Sequence, residues 1–263
     1  MANMRIHPGP FNNELLFLET GHRAYTMFYG GGNPEEVLDI RRGDLGLWKK
    51  IRQHDIPDPV RNYIRRAGFE GVLNCGFKPL DHALITALVE RWRPETHTFH
   101  LPIGEVTVTL QDVQLMWGLR IDGEVVTGRE RKWSLAEKVD MCYRLLGIQT
   151  DQVHFKGAQL KMPFLRAVLD TPFPDNPTNE QIMQRARAYI LLLLGGSIFP
   201  DASDNAVHMN LLVLLEDFDR CGGLCWGSAA LACLYRNLCK AATKGEIIGG
   251  PLMLLQLWAW SRI

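Results

Sequence analysis

The alternation of apolar and polar residues that is typical of a β-strand occurs in one stretch of this chain, Thr96–Leu110. Within it, the apolar residues Val106, Val108 and Leu110 alternate with two threonines. The segments HTFHL and VTVTL stand on either side of PIGE, which has the length of a hairpin turn. The pattern predicts one small β-hairpin at about residues 97–110 and leaves the rest of the chain to helices and loops.

Residues that begin and end helices stand beside most apolar runs outside this stretch. The predicted helix starts are caps or first-turn prolines at Asn33-Pro34, Asp58-Pro59, Asp81, Thr109, Ser134, Thr178, Ser228 and Pro251. Gly68 and Gly195-Gly196 are predicted helix stops. The prolines between Pro163 and Pro177 indicate a loop that a short helix at Phe164–Leu169 could interrupt. We therefore expect a mainly α fold, a multi-helix globular domain with one small hairpin.

The composition is that of a chain with a real core, because 46% of the residues are hydrophobic and 22% are charged. We expect residues 1–263 to form a single unit. Residues 1–70 would be its N-terminal helical, locally basic part, and residues 71–263 its main helical core. No glycine or proline stop follows the two tryptophans of LWAWSRI, so we expect the core to be truncated at its C-terminus.

Secreted and membrane proteins are disfavoured. The first residues have no apolar core behind a charged tip, which argues against a signal peptide. The apolar runs are shorter than the ~20 residues that span a bilayer, so we expect no membrane partner. Six cysteines in a chain without a secretory signal indicate reduced thiols in the cytosol or nucleus.

Charge is balanced overall and uneven locally. Basic and acidic residues both number 29, whereas a protein that coats DNA is normally strongly basic. Residues 41–66 nevertheless hold eight basic and three acidic residues. The basic residues are Arg41, Arg42, Lys49, Lys50, Arg52, Arg61, Arg65 and Arg66. They are the candidate nucleic-acid-binding residues.

Two interpretations of this basic segment stay open. Trp48 and Tyr63 stand among the cations, a mixture that nucleic-acid binding can use. However, Leu45, Leu47, Trp48 and Ile51 also fit the apolar face of an amphipathic helix that packs on the core. The second interpretation, a solvated basic face, is the one we favour.

Histidines and cysteines could in principle hold a metal ion. His97 and His100 are three positions apart, so on a strand their side chains point to opposite faces, which argues against one shared metal. The late cysteines at Cys221, Cys225, Cys233 and Cys239 lack the two tight pairs of a typical zinc site. We favour buried free thiols over zinc ligands.

Other candidate chemistry is incomplete. The acids Glu216, Asp217 and Asp219 could form a carboxylate pair or bind magnesium, but acids beside an apolar helix usually face water. Gly30–Gly32 is not followed by GK[ST], and Ser228 is outside any G-x-S-x-G motif. We therefore expect no catalytic residue, no metal site, no cofactor and no enzymatic activity.

Several blocks of the sequence resemble the plant mobile domain family in the right order. The opening HPGPFNNELLFLETGHRA is similar to the start of the maintenance-of-meristems-like members. The resemblance continues over most of the chain. The four blocks are THTFHLPIGEVTVTLQDVQLMWGLRIDGEVVTG, ARAYILLLLGGSIFPDASDNAVHMNLLVLLEDFD, CWGSAALACLYRNLCKAA and IIGGPLMLLQLWAWSRI.

The resemblance implies a nuclear protein from a family shared by host genes and plant transposable elements. Host members are linked to transposon silencing, gene regulation, genome stability and meristem maintenance, and some work with a serine/threonine phosphatase of the seven type. Chains of this kind are also called aminotransferase-like or phosphatase seven long form homologs. The phosphatase motifs GDxHG, GDxxDRG and GNHE are absent here, and no lysine stands in a recognisable pyridoxal-phosphate setting.

Three functional hypotheses follow, in decreasing order of support. The first is a non-enzymatic nuclear interaction module that regulates transcription or silences transposons, with a serine/threonine phosphatase seven-type partner. The second is direct binding of DNA or chromatin through residues 41–66. The third is a vestigial enzyme that derives from a transposon.

Overall fold

The computed structural model describes residues 18–33, 35–127, 132–200 and 205–263, and helices dominate them. The mainly α fold is confirmed. The helices are α1 (Arg23–Phe28), α2 (Leu45–Gln53), α3 (Asp58–Arg66), α4 (Glu70–Cys75), α5 (His82–Arg91), α6 (Leu110–Trp117), α7 (Leu135–Leu146), α8 (Met162–Asp170), α9 (Asn179–Leu193), α10 (Met209–Val213), α11 (Phe218–Gly222), α12 (Trp226–Lys244) and α13 (Leu252–Arg262). None of these helices is both long and apolar enough to cross a bilayer.

Three small sheets join the helices. The strands are β1 (Asp39–Ile40), β2 (Trp92–Arg93), β3 (Thr98–Leu101), β4 (Gly104–Val106), β5 (Phe155–Lys156), β6 (Gln159–Lys161), β7 (Ala206–His208) and β8 (Ile247–Ile248). Strands β2-β3-β4 and β5-β6-β7 form antiparallel sheets, and β1 pairs with β8 in parallel. The predicted hairpin is β3-β4, with Phe99 opposite Val106. The other two sheets were not predicted, because strands of two or three residues are too short to show alternation.

The hairpin is shorter than its sequence pattern predicts, and the strand pattern is wrong beyond Val106. The Thr107 hydroxyl donates to the His97 carbonyl oxygen (2.9 Å), and the Tyr235 hydroxyl donates to that of Val108 (2.7 Å). Side chains therefore take the carbonyl groups that a longer ladder would use. Thr109 then caps α6.

Two long helices organise the core. Helix α9 is buried along its second half and packs against α2, α3, α7 and α8, whereas α12 packs against α1, α5, α6 and strand β8. Four fully buried tryptophans come from different elements, Trp92, Trp117, Trp226 and Trp258. The Phe99 ring lies between two of them, 4.9 Å from Trp92 and 5.1 Å from Trp258 between ring centroids. The hairpin is thus part of the core, where the Phe99 ring packs on two buried tryptophans.

Most predicted helix starts are confirmed by cap geometry. Thr109, Ser134 and Thr178 each accept a hydrogen bond from the third helical N–H and complete a capping box. Asp81 accepts from the Leu84 N–H (2.9 Å), and Pro251 stands directly before α13. The predicted loop after Pro163 begins only at residue 171, because Pro163 lies in the first turn of α8.

One predicted helix start is wrong, and two predicted cap residues lie inside their helices. Asn33 makes a turn with Glu35 instead of a helix, and Pro34 lies outside the described residues. Asp58 is the first residue of α3 and not its cap. Ser228 lies inside α12, which begins two residues earlier, at Trp226.

The predicted stop at Gly195-Gly196 is also wrong. Helix α9 continues into a π-helical turn, Leu194–Ile198, that is fully buried. A side chain at Gly196 would place its Cβ 2.9 Å from Cα of Asp44, so glycine lets the loop before α2 approach the backbone of the turn. The stop at Gly68 is confirmed, with a φ of 87° just after α3.

A buried carboxylate fixes the basic segment to this turn. The side chain of Asp44 accepts hydrogen bonds from Nε of Arg42 (2.6 Å), Nε1 of Trp48 (2.8 Å) and Oγ of Ser197 (3.1 Å). It is 2% exposed, so its charge is stabilised by these donors instead of water. The N-terminal part and the core therefore share one polar network.

Candidate functional site

Most of the eight candidate nucleic-acid-binding residues already contact carboxylates. Nε of Arg61 lies 3.0 Å from Oε1 of Glu70, and Arg65 binds both oxygens of the same carboxylate. The hydrogen bonds from both arginines lower the pKa of Glu70, and the bond from Arg65 has the larger effect. The remaining pairs are Arg41–Asp39, Arg42–Asp44, Lys50–Asp170 and Arg66–Asp219.

The partners offset much of the local positive charge, because four of the five carboxylates lie outside residues 41–66. Lys49 and Arg52 are the two candidates for which the described residues show no carboxylate partner. Both are exposed on α2, and the Arg52 guanidinium lies over the Phe77 ring, 5.2 Å from its centroid. Of the eight candidate residues, only Lys49 and Arg52 are thus unpaired among the described residues, and both lie on α2.

Helix α2 has the amphipathic character that its sequence predicts. Leu47 and Trp48 are buried, and Ile51 packs against the core as a half-buried residue. The prediction is wrong for Leu45, which is 52% exposed because it is the first residue of the helix and points away from the core.

His97 and His100 do not lie on one strand. His97 occupies the turn before β3 with a φ of 55°, and its ring stacks on Tyr235 with 5.7 Å between centroids. His100 lies within β3, opposite Glu105. In the described parts of the chain, no three His, Cys, Asp or Glu side chains are arranged to hold a metal ion.

The late cysteines are free thiols in structural positions. Burial raises the pKa of Cys221 to about 12 and also raises that of Cys233, so both stay protonated. The Cys225 thiol donates to the Ile121 carbonyl oxygen (2.9 Å), and Cys239 accepts from Nε1 of Trp92 (3.3 Å). Cys221 and Cys233 are therefore poor nucleophiles and metal ligands.

The candidate acids form ion pairs or cap a helix. Glu216 pairs with Nη1 of Arg144 (3.0 Å), and Asp219 pairs with Arg66. Asp217 caps α11 by accepting from the backbone N–H groups of residues 219 and 220 (2.8 and 3.1 Å). Each carboxylate thus caps a helix or pairs with an arginine of a helix that is distant in the chain.

The feature that sequence reasoning missed is a groove along α12. Its basic end is a cleft of about 410 Å³ between α12, β7 and β8, and its polar lining consists of Gln159, His208, Arg236, Asn237 and Lys240. An adjoining cavity of about 510 Å³ shares Phe199, His208, Leu211 and Arg236 with the cleft. Its other lining is mostly small or apolar and includes Val126, Ala229 and Ala232. We call the two cavities together the α12 groove.

The spacing of small and basic residues along α12 indicates one wall of this groove. Ala229, Ala232, Arg236 and Lys240 recur at intervals of three or four residues, so they share one face of the helix. The sequence alone does not show that α10 and β7, which are distant in the chain, form the opposite wall.

The matching family and the similar proteins agree with the resemblance seen in the sequence. The model of the family described as Plant mobile domain matches residues 68–263. A serine/threonine-protein phosphatase 7 long form homolog from Arabidopsis thaliana is 41% identical over 100% of this chain and 19% of the relative. No solved structure matches the chain.

Two further relatives come from the same plant. Protein MAIN-LIKE 1 is 39% identical over 98% of this chain and 49% of its own length. Protein MAINTENANCE OF MERISTEMS is 38% identical over 75% of this chain and 41% of its own length. The chain thus spans at most about half the length of these relatives.

Proposed function

The chain belongs to the plant mobile domain family, and from this membership we propose that it is a non-enzymatic nuclear interaction module. In this proposal it acts in transcriptional regulation, transposon silencing or genome stability, and it docks a phosphatase-type protein. The name MAINTENANCE OF MERISTEMS supports a role in plant development, and the phosphatase 7 name of another relative supports the choice of partner.

One observation carries the proposal that the chain is not an enzyme. The candidate thiols and carboxylates are buried or already bonded to other groups of the protein. The thiols of Cys221 and Cys233 are buried and protonated, and the carboxylates of Glu216, Asp217 and Asp219 bind arginines or a helix start. A general base or nucleophile must instead have its reactive atom available to a substrate. The described lining of the α12 groove contains no carboxylate, and its thiol, Cys233, is protonated, which fits a binding role.

Co-purification from plant nuclei tests this proposal. The tagged full chain should enter the nucleus and enrich a serine/threonine phosphatase or chromatin-linked proteins over an unrelated tagged nuclear protein of similar size. If the chain is excluded from nuclei, or if it enriches neither class, the proposal is wrong.

Direct binding of DNA is a second candidate, which the two exposed cations of α2 favour. Lys49 and Arg52 would contact phosphates, so the affinity for a DNA duplex should fall steeply as salt rises. The double variant Lys49→Ala/Arg52→Ala should bind more weakly than Arg61→Ala, because Arg61 is held by Glu70. Affinity that does not depend on salt would remove this candidate.

A further inference from the structure

The cations at the basic end of the α12 groove have no charged partner in the described part of the chain. Arg236 and Lys240 are exposed and one helical turn apart, and neither forms an ion pair there. The described lining of this cleft contains three basic side chains and no carboxylate. This differs from residues 41–66, where six of the eight basic residues are paired.

His208 adds a hydrogen-bond donor beside these cations. Its Nδ1 accepts a hydrogen bond from the Asn210 N–H (3.2 Å), so the neutral ring carries its proton on Nε2. His208 lines both cavities of the groove and therefore lies where they meet. Arginine, lysine and imidazole donors together form a binding site for an anion with several oxygen atoms.

The neighbouring side chains keep the charge of Arg236 available. Arg236 hydrogen-bonds the thiol of Cys233, whose pKa burial raises, so the thiol is neutral and does not offset the guanidinium. Asn237 is fixed separately, since its amide donates to the Cys233 carbonyl oxygen (2.8 Å). Within the described residues, no acidic side chain offsets the charge of Arg236 on this face of α12.

The other end of the groove suits an apolar side chain. Ala229 and Ala232 leave room on α12 because they are small, and Phe199 and Leu211 form the facing wall. Ala232 and Arg236 are four residues apart, which places them about 6 Å from each other along the helix. An apolar group and an anion on adjacent residues of one peptide can therefore reach both ends.

We infer that the α12 groove binds a partner segment in which a phosphoserine or phosphothreonine adjoins an apolar side chain. The guanidinium of Arg236 would bind two phosphoryl oxygens, Lys240 would add a point charge, and the alanines would receive the apolar group. The inference rests on the proposed function, since it says which chemical class of protein partner the module docks. A nucleic acid fits less well, because its backbone requires a row of cations, whereas the described lining of this groove contains one arginine and one lysine, Arg236 and Lys240.

An array of synthetic peptides tests the inference on the full chain. The peptides carry one phosphoserine or phosphothreonine with varied flanking residues, and each has an unphosphorylated copy. We expect binding to phosphorylated peptides with an adjacent Leu, Ile or Val, and at least tenfold weaker binding by Arg236→Ala/Lys240→Ala. The matched control, Lys78→Ala/Arg220→Ala, removes two exposed cations that line neither cavity of the groove and should change the affinity less than twofold.

Three outcomes would overturn the inference. They are equal binding to unphosphorylated copies, no binding to any peptide, and equal losses in the two double variants. A fourth is displacement of the peptide by single-stranded DNA with a lower dissociation constant, which would make the groove a nucleic-acid site. Circular dichroism of each variant shows that a loss of binding does not come from unfolding.

The groove variant also separates this inference from the proposed function. If the wild type enriches a phosphatase or chromatin-linked protein from nuclei and Arg236→Ala/Lys240→Ala does so equally well, the partner docks elsewhere and only the inference fails. If the wild type enriches neither class but binds phosphorylated peptides, the inference holds and the proposed partner is wrong.

Discussion

At the scale of single residues, a buried histidine makes the stability of this protein depend on pH. His22 is 5% exposed; its Nε2–H donates to the Trp92 carbonyl oxygen (2.7 Å), and its Nδ1 accepts from the Ala24 N–H (3.0 Å). Burial, and then the nearby charge of Arg93, lower its pKa from 6.5 to about 4. A proton on Nδ1 would face the Ala24 N–H, so the fold opposes protonation.

The sign of the effect follows from these values. Between pH 6.5 and about 4 the unfolded chain binds a proton at this ring and the folded chain does not, so acid favours unfolding. We expect the free energy of unfolding to fall through this window, with a contribution from His22 on the order of 3 kcal/mol. Below about pH 4 the contribution should level off.

Urea unfolding at several pH values measures this contribution. His22→Gln should have a smaller loss of stability than the wild type between pH 6.5 and 4, and the exposed His54→Gln is the matched control with the wild-type slope. Equal slopes for the wild type and His22→Gln would contradict the prediction. Carboxylates that titrate in the same window cancel in this difference.

At the scale of secondary-structure elements, two serines test which residue caps a helix. Ser134 accepts from the Glu137 N–H (3.2 Å) at the start of α7, whereas Ser228 lies within α12 with its hydroxyl oxygen 2.8 Å from the Cys225 sulfur. We expect Ser134→Ala to lower the free energy of unfolding by about 1 kcal/mol, because an N–H loses its partner. Ser228→Ala should change it by less than about 0.5 kcal/mol, since alanine favours a helix interior.

Urea denaturation midpoints of the two serine variants provide the comparison. The same atoms are removed in both, so a difference reports the position and not the chemistry of the substitution. A larger loss for Ser228→Ala than for Ser134→Ala would show that α12 begins later than Trp226.

These elements also show where sequence reasoning succeeds. Thr109, Ser134 and Thr178 were predictable as caps because a capping box is a contact between residues three positions apart. The stop at Gly195-Gly196 was not, because Gly196 lets the backbone of Asp44, which is distant in the chain, approach the turn. The pairing of β1 with β8 could not be predicted for the same reason, because it joins Asp39 to Ile247, which is distant in the chain.

The candidate site also has a part that the sequence predicts and a part that depends on contacts between distant residues. The composition of residues 41–66 predicts a basic surface, but the carboxylates that pair with Lys50 and Arg66 come from Asp170 and Asp219. The α12 groove requires β7 and α10 beside α12, and no local pattern brings these elements together. Partners at long sequence separation therefore decide which cations are free to bind.

At the scale of the whole molecule, the boundary of the family match is not a boundary of the structure. The match begins at residue 68, yet α2 and α3 precede it and pack on α8, α9 and α11. Val60 and Ile64 of α3 are fully buried, and the Tyr63 hydroxyl donates to Oδ1 of Asn179 (2.7 Å). Gly222 lies so close to the Arg66 carbonyl oxygen that a Cβ at this position would clash with it.

Residues 68–263 alone should therefore lack a cooperative fold. Removal of residues 1–67 would expose the apolar face of α9 and leave Asp219 and Ser197 without their partners Arg66 and Asp44. We expect the fragment to retain helical far-ultraviolet circular dichroism, to lose the near-ultraviolet signal of its packed tryptophans and to bind a hydrophobic dye. Its urea transition should be broad, whereas the full chain should unfold in one sharp step.

Addition of the missing part in trans distinguishes lost packing from an unrelated defect. A separate polypeptide of residues 1–67 should bind the fragment and restore the near-ultraviolet signal, because α2 and α3 can occupy the same face of α9 without a covalent link. The same polypeptide with Ile64→Asp should not, since a carboxylate would enter a site that is 0% exposed. A fragment of residues 68–263 that unfolds sharply on its own would instead make the basic N-terminal part an appendage, free to move and to bind independently of the core.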